Sequence, residues 1–521
     1  MSNAVEILSE GADRASRFAS GKAIVAYLAV AIFLLHFVFS QRYGYFVDEL
    51  YYLACSEHLD WGYVDQPPLI AVLTWLERKF FGDSLTAIRL FPAVASGVLV
   101  WLTGTITRQL GGKRFAQALA ALCVIVAPVY LVLYHLLTMN ALEPLLWMGS
   151  AYLVIRIVQT GNQTLWLWVG VLAGAGLQNK HSMLFFGSGV VAGLLLTPER
   201  RAFRERWIWL GGLIALAIFL PNLIWQVQHG FPTLELLNNV RASGRNVALN
   251  SMEFLAQQAI LMQPLTLPIW LAGLWWYLRS SEGRPYRVLG WTYAAILACM
   301  LILGGRVYYL APAYPMLFAA GAIAVQGFGE RRKWAWLKLG YISALAVTGV
   351  VLAPMMIPVL PVETYIRYTQ IIGFQPPPIE THRLGPLHQL YADQFGWEEM
   401  AAATARAYHA LPPDVRAKTA IFGNNYGQAG AIDFFGPKYG LPKAIATHQN
   451  YYFWGPRDYT GESLLILGDT KADAARVCKE VEEVGEVYHR YSMPYQHFKI
   501  LHCRGLKVPI EELWPRLKNW S

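Results

Sequence analysis

Eleven apolar segments dominate the first 355 residues, at roughly 23–40, 86–107, 115–136, 139–158, 165–179, 182–197, 207–227, 257–278, 288–303, 308–326 and 335–355. Crossing a ~30 Å hydrocarbon layer as a helix takes about 20 such residues, and a water-soluble core has no room for so many. The fifth and sixth segments are short for a crossing. Hydrophobic residues make up 55% of the 521 residues and charged residues only 15%, the balance of a membrane protein with a polar part attached. Residues 1–22 carry no small-residue cleavage site after a short apolar core, so the first segment reads as a retained helix.

The net charge of +9 is not spread along one face, as nucleic-acid binding requires, and no nucleic-acid partner is expected. The basic residues cluster between apolar segments: Arg14, Arg17 and Lys22; Arg108, Lys113 and Arg114; Arg156; Arg200, Arg201, Arg204 and Arg206; Arg279, Arg284 and Arg287; Arg331, Arg332 and Lys333. Counting eleven crossings puts all of them on one side, which the positive-inside rule makes cytoplasmic. The N-terminus is then cytoplasmic and the C-terminal tail outside. Lys180, Arg241, Arg245 and Arg306 fall in outer segments.

An outer loop of about 45 residues follows the first helix and opens with VDELYYLACSEHLDWGYVDQPPL, residues 47–69. It holds five carboxylates (Asp48, Glu49, Glu57, Asp60 and Asp65), with His58 the only side chain in the stretch that can turn positive. Glu57, Asp60, Glu77 and Asp83 read as surface charge. Asp48 and Glu49 arrive just past the membrane exit among Tyr43, Tyr45, Phe46, Tyr51 and Tyr52, in a segment suited to a helix along the interface. Apolar surroundings can raise one acid's pKa and leave its neighbour ionised as a base. The missing counter-charges are expected from an acceptor, a metal ion, or Lys180 and the arginines.

From about Pro358 the composition changes, and QPPP at 375–378 signals a linker. The chain divides on this reading into a transmembrane domain, 1–357, with a catalytic first outer loop at 41–85, and an extracytoplasmic α/β domain, 358–521. TAIFG (419–423), SLLILGD (463–469) and HFKILHC (497–503) read as strands, and 397–410 and 471–484 as helices. GNNYGQAGAIDFFG (423–436) reads as a loop-rich binding edge or simply as turns. Of five cysteines, Cys478 and Cys503 lie in this tail and can pair if it is exposed to an oxidising compartment.

The first outer loop resembles that of the GT-C glycosyltransferases, in particular the protein O-mannosyltransferase and aminoarabinose-transferase-like group of glycosyltransferase family 39 type. The matching elements are Asp48-Glu49, Asp65-Gln66-Pro67-Pro68-Leu69 and FGDSLTAIRLFPAVAS at 81–96. GAGLQNKHSMLFF (174–186) is similar to the group's lysine segment and RVYYLAPAYPML (306–317) to its basic, tyrosine and Pro-x-Tyr-Pro segment. NNVRASGRN (238–246) falls where the group often has a His and an Arg; Asn239 and Arg241 stand here, which weakens any metal site built on that His. The resemblance implies a GT-C membrane fold that takes a sugar from a polyprenyl-phosphate donor at the outer face of a bacterial inner membrane. The acceptor is a lipid, a glycan or a protein.

Such a transfer needs a base for the acceptor hydroxyl and cations for the departing phosphate. Asp48 is the candidate base, with Glu49 and Asp65 completing the acidic site. Lys180, Arg241 and Arg306 are the candidate phosphate ligands, Arg as a fork and Lys as a point charge. Tyr308 and Tyr309 line a substrate groove or form part of an aromatic belt. A divalent metal ion is the one cofactor left open. A transporter or flippase of lipid-linked glycans is the alternative, but transporters place ionisable residues at mid-membrane and often show paired repeats. Here the acids lie in an outer loop and no repeat is evident. A silent membrane receptor is a third reading.

Overall fold

The computed structural model describes residues 20–244, 247, 249–331, 335–373 and 380–521. Arg14, Arg17, Arg245, Arg332, Lys333 and the QPPP segment at 375–378 lie outside the described residues. The chain forms two compact units: Met1–Ser40, Arg89–Pro221 and Leu249–Val359 make the first, and Gln41–Ile88, Asn222–Ala248 and Leu360–Ser521 the second.

Helices are the regular structure of the first unit's described residues. Each of the eleven apolar segments contains helix, but only seven helices in the chain's described residues are long and apolar enough to cross a membrane: Gly21–Phe39, Leu85–Gln109, Met139–Thr160, Arg206–Gln228, Arg284–Leu303, Val307–Arg331 and Lys338–Met356. An eighth arises if Ser251–Leu261 and Pro264–Arg279, bent by 97°, count as one crossing. The expected count of eleven is not confirmed: by length and composition, seven or eight of the described helices qualify. Arg114–Val126 and Met183–Leu195 are apolar but too short, and Trp166–Asn179 has only 14 residues. The protein is a multi-pass membrane protein.

Lipid tails give helices no hydrophobic reason to associate, so they pack where small residues let backbones approach. A Cβ at Gly321 would stand 1.9 Å from the Ile269 carbonyl oxygen, and one at Gly273 would stand 2.1 Å from that of Leu317. These two glycines set the contact between helices Leu267–Arg279 and Tyr314–Arg331. Gly193 does the same for Met183–Leu195 against Arg287–Leu303, at 2.3 Å from the Val288 carbonyl.

The second unit carries a four-stranded sheet in the order β1-β2-β4-β3, built from β1 (Thr419–Gly423), β2 (Ser463–Leu467), β3 (Cys478–Val487) and β4 (Phe498–Leu506). β1 and β2 are parallel, with Ile421 opposite Leu465; the other pairs are antiparallel. The three expected strands are present, and Trp397–Ala410 is the expected helix. The helix expected at 471–484 ends at Val477. Cys478, Val481, Val484 and Val487 recur every three residues and imitate a helical stripe, but the segment pairs with β4, where Val481 lies opposite Cys503. Glu482 and Glu486 reach Arg504 (2.6 Å) and Lys499 (2.7 Å) across the pair. A disulfide joins Cys478 to Cys503. The 423–436 segment is not a loop: Asn425 accepts from the Gln428 amide (2.9 Å) and caps helix Tyr426–Phe435.

Gly321→Val is expected to force the two helices apart and cost about 1–3 kcal/mol of stability. A lowered melting temperature in detergent, with Gly327→Val unchanged because nothing lies within 4 Å of its Cβ position, checks this.

Candidate active site

In the second unit the acidic stretch folds as helix Val47–Glu57, followed by a turn that returns Asp65 to it. Glu49 is fully buried and its Oε2 accepts from the Phe46 amide (2.8 Å), so it caps its own helix. Asp48, on the helix's first turn, accepts from the Tyr426 hydroxyl (2.8 Å), and the Tyr426 ring lies 4.7 Å from that of Tyr51. Tyr51 in turn donates to Asp65 Oδ1 (3.0 Å) and receives the Asn450 amide (3.3 Å). Burial pushes the Asp65 carboxyl up to about 7; the Tyr51 hydrogen bond opposes this and the nearby charge of Asp48 adds to it. Asp48 and Asp65 thus belong to one hydrogen-bonded aromatic group.

Part of the missing counter-charge comes from Arg78 and Lys443, the latter outside the residues expected to supply it. Glu57 pairs with Arg78 (3.1 Å) and Lys443 (2.7 Å), and Arg78 also holds Asp83 (2.6 Å). Asp60 takes the Trp225 indole N–H (2.7 Å). Glu77, expected on the surface, is 6% exposed.

In the first unit Lys180 follows the last residue of helix Trp166–Asn179 and is 9% exposed. Its Nζ donates to Asn140 Oδ1 (2.7 Å) and Glu143 Oε2 (3.2 Å) and lies 5.2 Å and 4.6 Å from the ring centres of Tyr308 and Tyr309. Ser182 donates to the other Glu143 oxygen, and Asn179 Nδ2 holds the Met139 carbonyl (2.8 Å), fixing the 139–143 turn against the lysine. Two of the ammonium's three N–H groups are so engaged, and it lies beside two aromatic faces, an environment in which an ammonium can meet an anion. Arg306 precedes the short helix Val307–Ala313, which carries both tyrosines. Lys180, Tyr308 and Tyr309 are thus one cluster. Arg241 sits exposed in the last turn of helix Pro232–Ser243, in the second unit.

Glu143 and Asn140 were not among the residues expected to form a site. Their signal was an acid at the start of an apolar segment, Glu143-Pro144, which spans otherwise avoid. Among the described residues no group of three His, Cys, Asp or Glu side chains is arranged to hold a metal ion, so the donors present do not fit one.

Residues 65–225 match the family described as dolichyl-phosphate-mannose-protein mannosyltransferase. The fold is similar to that of ArnT from Cupriavidus metallidurans crystallised with undecaprenyl phosphate, at a TM-score of 0.60 and 16% identity over 91% of this chain and 97% of that one. Its apo form gives 0.59 and 15% over the same shares. The chain shares the fold of ArnT. It is also 28% identical over 249 residues to the lipid A galacturonosyltransferase RgtD of Rhizobium johnstonii, which covers 46% of this chain. The chain spans about half the length of that curated relative.

Two outcomes are expected. Asp65's folded pKa lies above its unfolded value, so its contribution is fully present below about pH 4 and is lost as pH rises toward 7. Asp65→Asn should therefore leave stability unchanged at pH 4 and raise it at pH 8 by on the order of 2 kcal/mol, read from melts across that range. Lys180→Met strands a buried carboxylate and should cost about 3–5 kcal/mol, most of it recovered when Glu143→Gln is added.

Proposed function

We propose that this protein is an integral-membrane glycosyltransferase that moves a sugar from a polyprenyl-phosphate donor to a lipid, glycan or protein acceptor. The observation that carries the reading is the buried ammonium of Lys180, held by Asn140 and Glu143 against two tyrosine faces. It does so in a fold whose relative ArnT was crystallised with undecaprenyl phosphate. RgtD acts on lipid A, which supports a lipid acceptor.

In this reaction the acceptor oxygen bonds to the sugar's anomeric carbon as the bond from that carbon to the carrier's phosphate oxygen breaks. The acceptor's proton passes to the Asp48 carboxylate, and the electron pair leaves with the phosphate. Asp65, half-buried and ready to hold a proton near pH 7, limits the negative charge around Asp48. Glu49 positions Asp48 by fixing the helix start. Lys180, Arg241 and Arg306 neutralise the phosphate, and Tyr308 and Tyr309 line the groove beside the lysine. The chemistry proceeds at the outer face of the bacterial inner membrane, with the N-terminus cytoplasmic and the sheet-bearing unit extracytoplasmic. The Cys478–Cys503 disulfide supports that compartment.

Native mass spectrometry with a panel of polyprenyl-phosphate sugars tests the reading. The wild type should bind a donor and strip its sugar mass, and Asp48→Asn should retain the lipid but turn over at least ~100-fold more slowly. Equal turnover by Asp48→Asn, or no lipid bound from any donor, contradicts it.

A further inference from the structure

Asp48 and Asp65 are each held by a tyrosine, and both tyrosines are held by one short segment of the second unit, Thr447-His448-Gln449-Asn450. The segment leaves the edge of β1, where the Ile445 carbonyl takes the Gly423 amide (2.9 Å) and the Ile445 amide donates to the Ile421 carbonyl (2.9 Å). It then turns sharply at Gln449, whose backbone is left-handed (φ 49°) and whose buried Oε1 has no hydrogen-bond partner among the described residues. Strain of this kind persists only where the surroundings over-determine it. Residues 519–521 do so here: the Gln449 amide donates to the Asn519 carbonyl (3.0 Å) and the Asn519 amide to the Thr447 carbonyl (3.0 Å), while Gln449 Nε2 and His448 Nε2 reach the Ser521 carbonyl (3.2 and 3.3 Å). The turn aims the residues on either side of it at the two tyrosines. The Asn450 amide donates to the Tyr51 hydroxyl (3.3 Å), and Asn450 Oδ1 takes the Val64 amide (3.2 Å), one residue before Asp65. His448, also buried, lies flat against the Tyr426 ring (5.0 Å, 9° between planes), and its Nδ1 accepts the Tyr426 amide N–H (3.1 Å). A ring nitrogen that accepts carries no proton, so the imidazole is neutral with its proton on Nε2, toward Ser521.

We propose that His448 is a positioning residue for Asp48, acting through Tyr426. Its flat face and its one acceptor nitrogen fix the ring and the first amide of helix Tyr426–Phe435, and the ring's hydroxyl then sets where the first-loop carboxylate points (2.8 Å). The inference rests on the reading of Asp48 as the base. A base must stand in line with the proton it takes, and a misplacement of about 1 Å can cost ~100-fold in rate. The donor's phosphate is held by other residues, so the loss falls on kcat and leaves KM for the donor in place.

Two measurements on the full-length protein in lipid test this. In the first, two replacements of the histidine are compared by turnover. Asparagine puts its Oδ1 where the imidazole Nδ1 lies and keeps an acceptor for the Tyr426 amide, whereas glutamine reaches the Nε2 position and keeps only the Ser521 side. His448→Asn should hold kcat within about 3-fold of wild type, and His448→Gln should lose about 10-fold or more with KM unchanged. His448→Phe, which keeps the flat face and has no acceptor, should lose as much and carries the test if His448→Gln does not fold. Tyr426→Phe should also lower kcat, and His448→Gln added to it should cost nothing further, because the histidine acts through that hydroxyl. Equal losses in the asparagine and glutamine variants, or additive losses with Tyr426→Phe, mean a merely structural role and overturn the inference. In the second, 3-fluorotyrosine incorporated at position 426 is read by fluorine NMR with no donor present. Its resonance should move in Asp48→Asn and in His448→Gln and stay near the wild-type position in His448→Asn. A resonance unmoved by His448→Gln overturns the inference whatever the enzyme does. The expected movements together with full turnover by Asp48→Asn support the hold of His448 on Asp48 and contradict the reading of Asp48 as the base instead.

Discussion

The hydrogen bond from the Tyr426 hydroxyl to Asp48 ties together residues 378 positions apart, and the second unit depends on the junction around it. The loop after the first helix is too short and too acidic to bury itself. It gains a core by laying its helix on Tyr426–Phe435, where glycines at 427 and 430 leave no side chain between the backbones: a Cβ at Gly430 would stand 2.9 Å from the Leu50 carbonyl. That contact brings Asp48 and Asp65 into one hydrogen-bonded group, where burial pushes the Asp65 carboxyl up to about 7. The acid chemistry of the loop is a consequence of how the C-terminal segment covers it.

The first unit handles its charge differently. A lysine and a glutamate within the apolar unit would each be costly alone, and their pairing offsets only part of that cost. The ammonium is bordered by the faces of Tyr308 and Tyr309 beside its two hydrogen bonds, an arrangement that supports the phosphate site proposed for it.

How much of this could be read beforehand depends on whether the governing contact is local. Apolar segments, three strands and the 397–410 helix follow from period and composition, and each is present. The count of spans is less legible, because apolarity alone does not distinguish a crossing helix from a short or bent one, as at 114–126 and 251–279. The 478–487 segment was misread because valines three apart fit a helix until β4 supplies a partner. At the acidic stretch the carboxylates were visible, but Lys443 lies 386 residues away from Glu57, and no local pattern announces it. Lys180 stood out through its family segment; Glu143, 37 residues earlier, was hidden inside a stretch read only for its hydrophobicity.

The central claim is that sugar leaves a polyprenyl-phosphate carrier on this protein instead of crossing the membrane with it. Acceptor-dependent release of free polyprenyl phosphate, measured in proteoliposomes loaded with a labelled donor, tests it most directly. The account predicts one carrier phosphate freed per sugar transferred, and none without acceptor. Movement of intact donor between leaflets with no free carrier phosphate would contradict it.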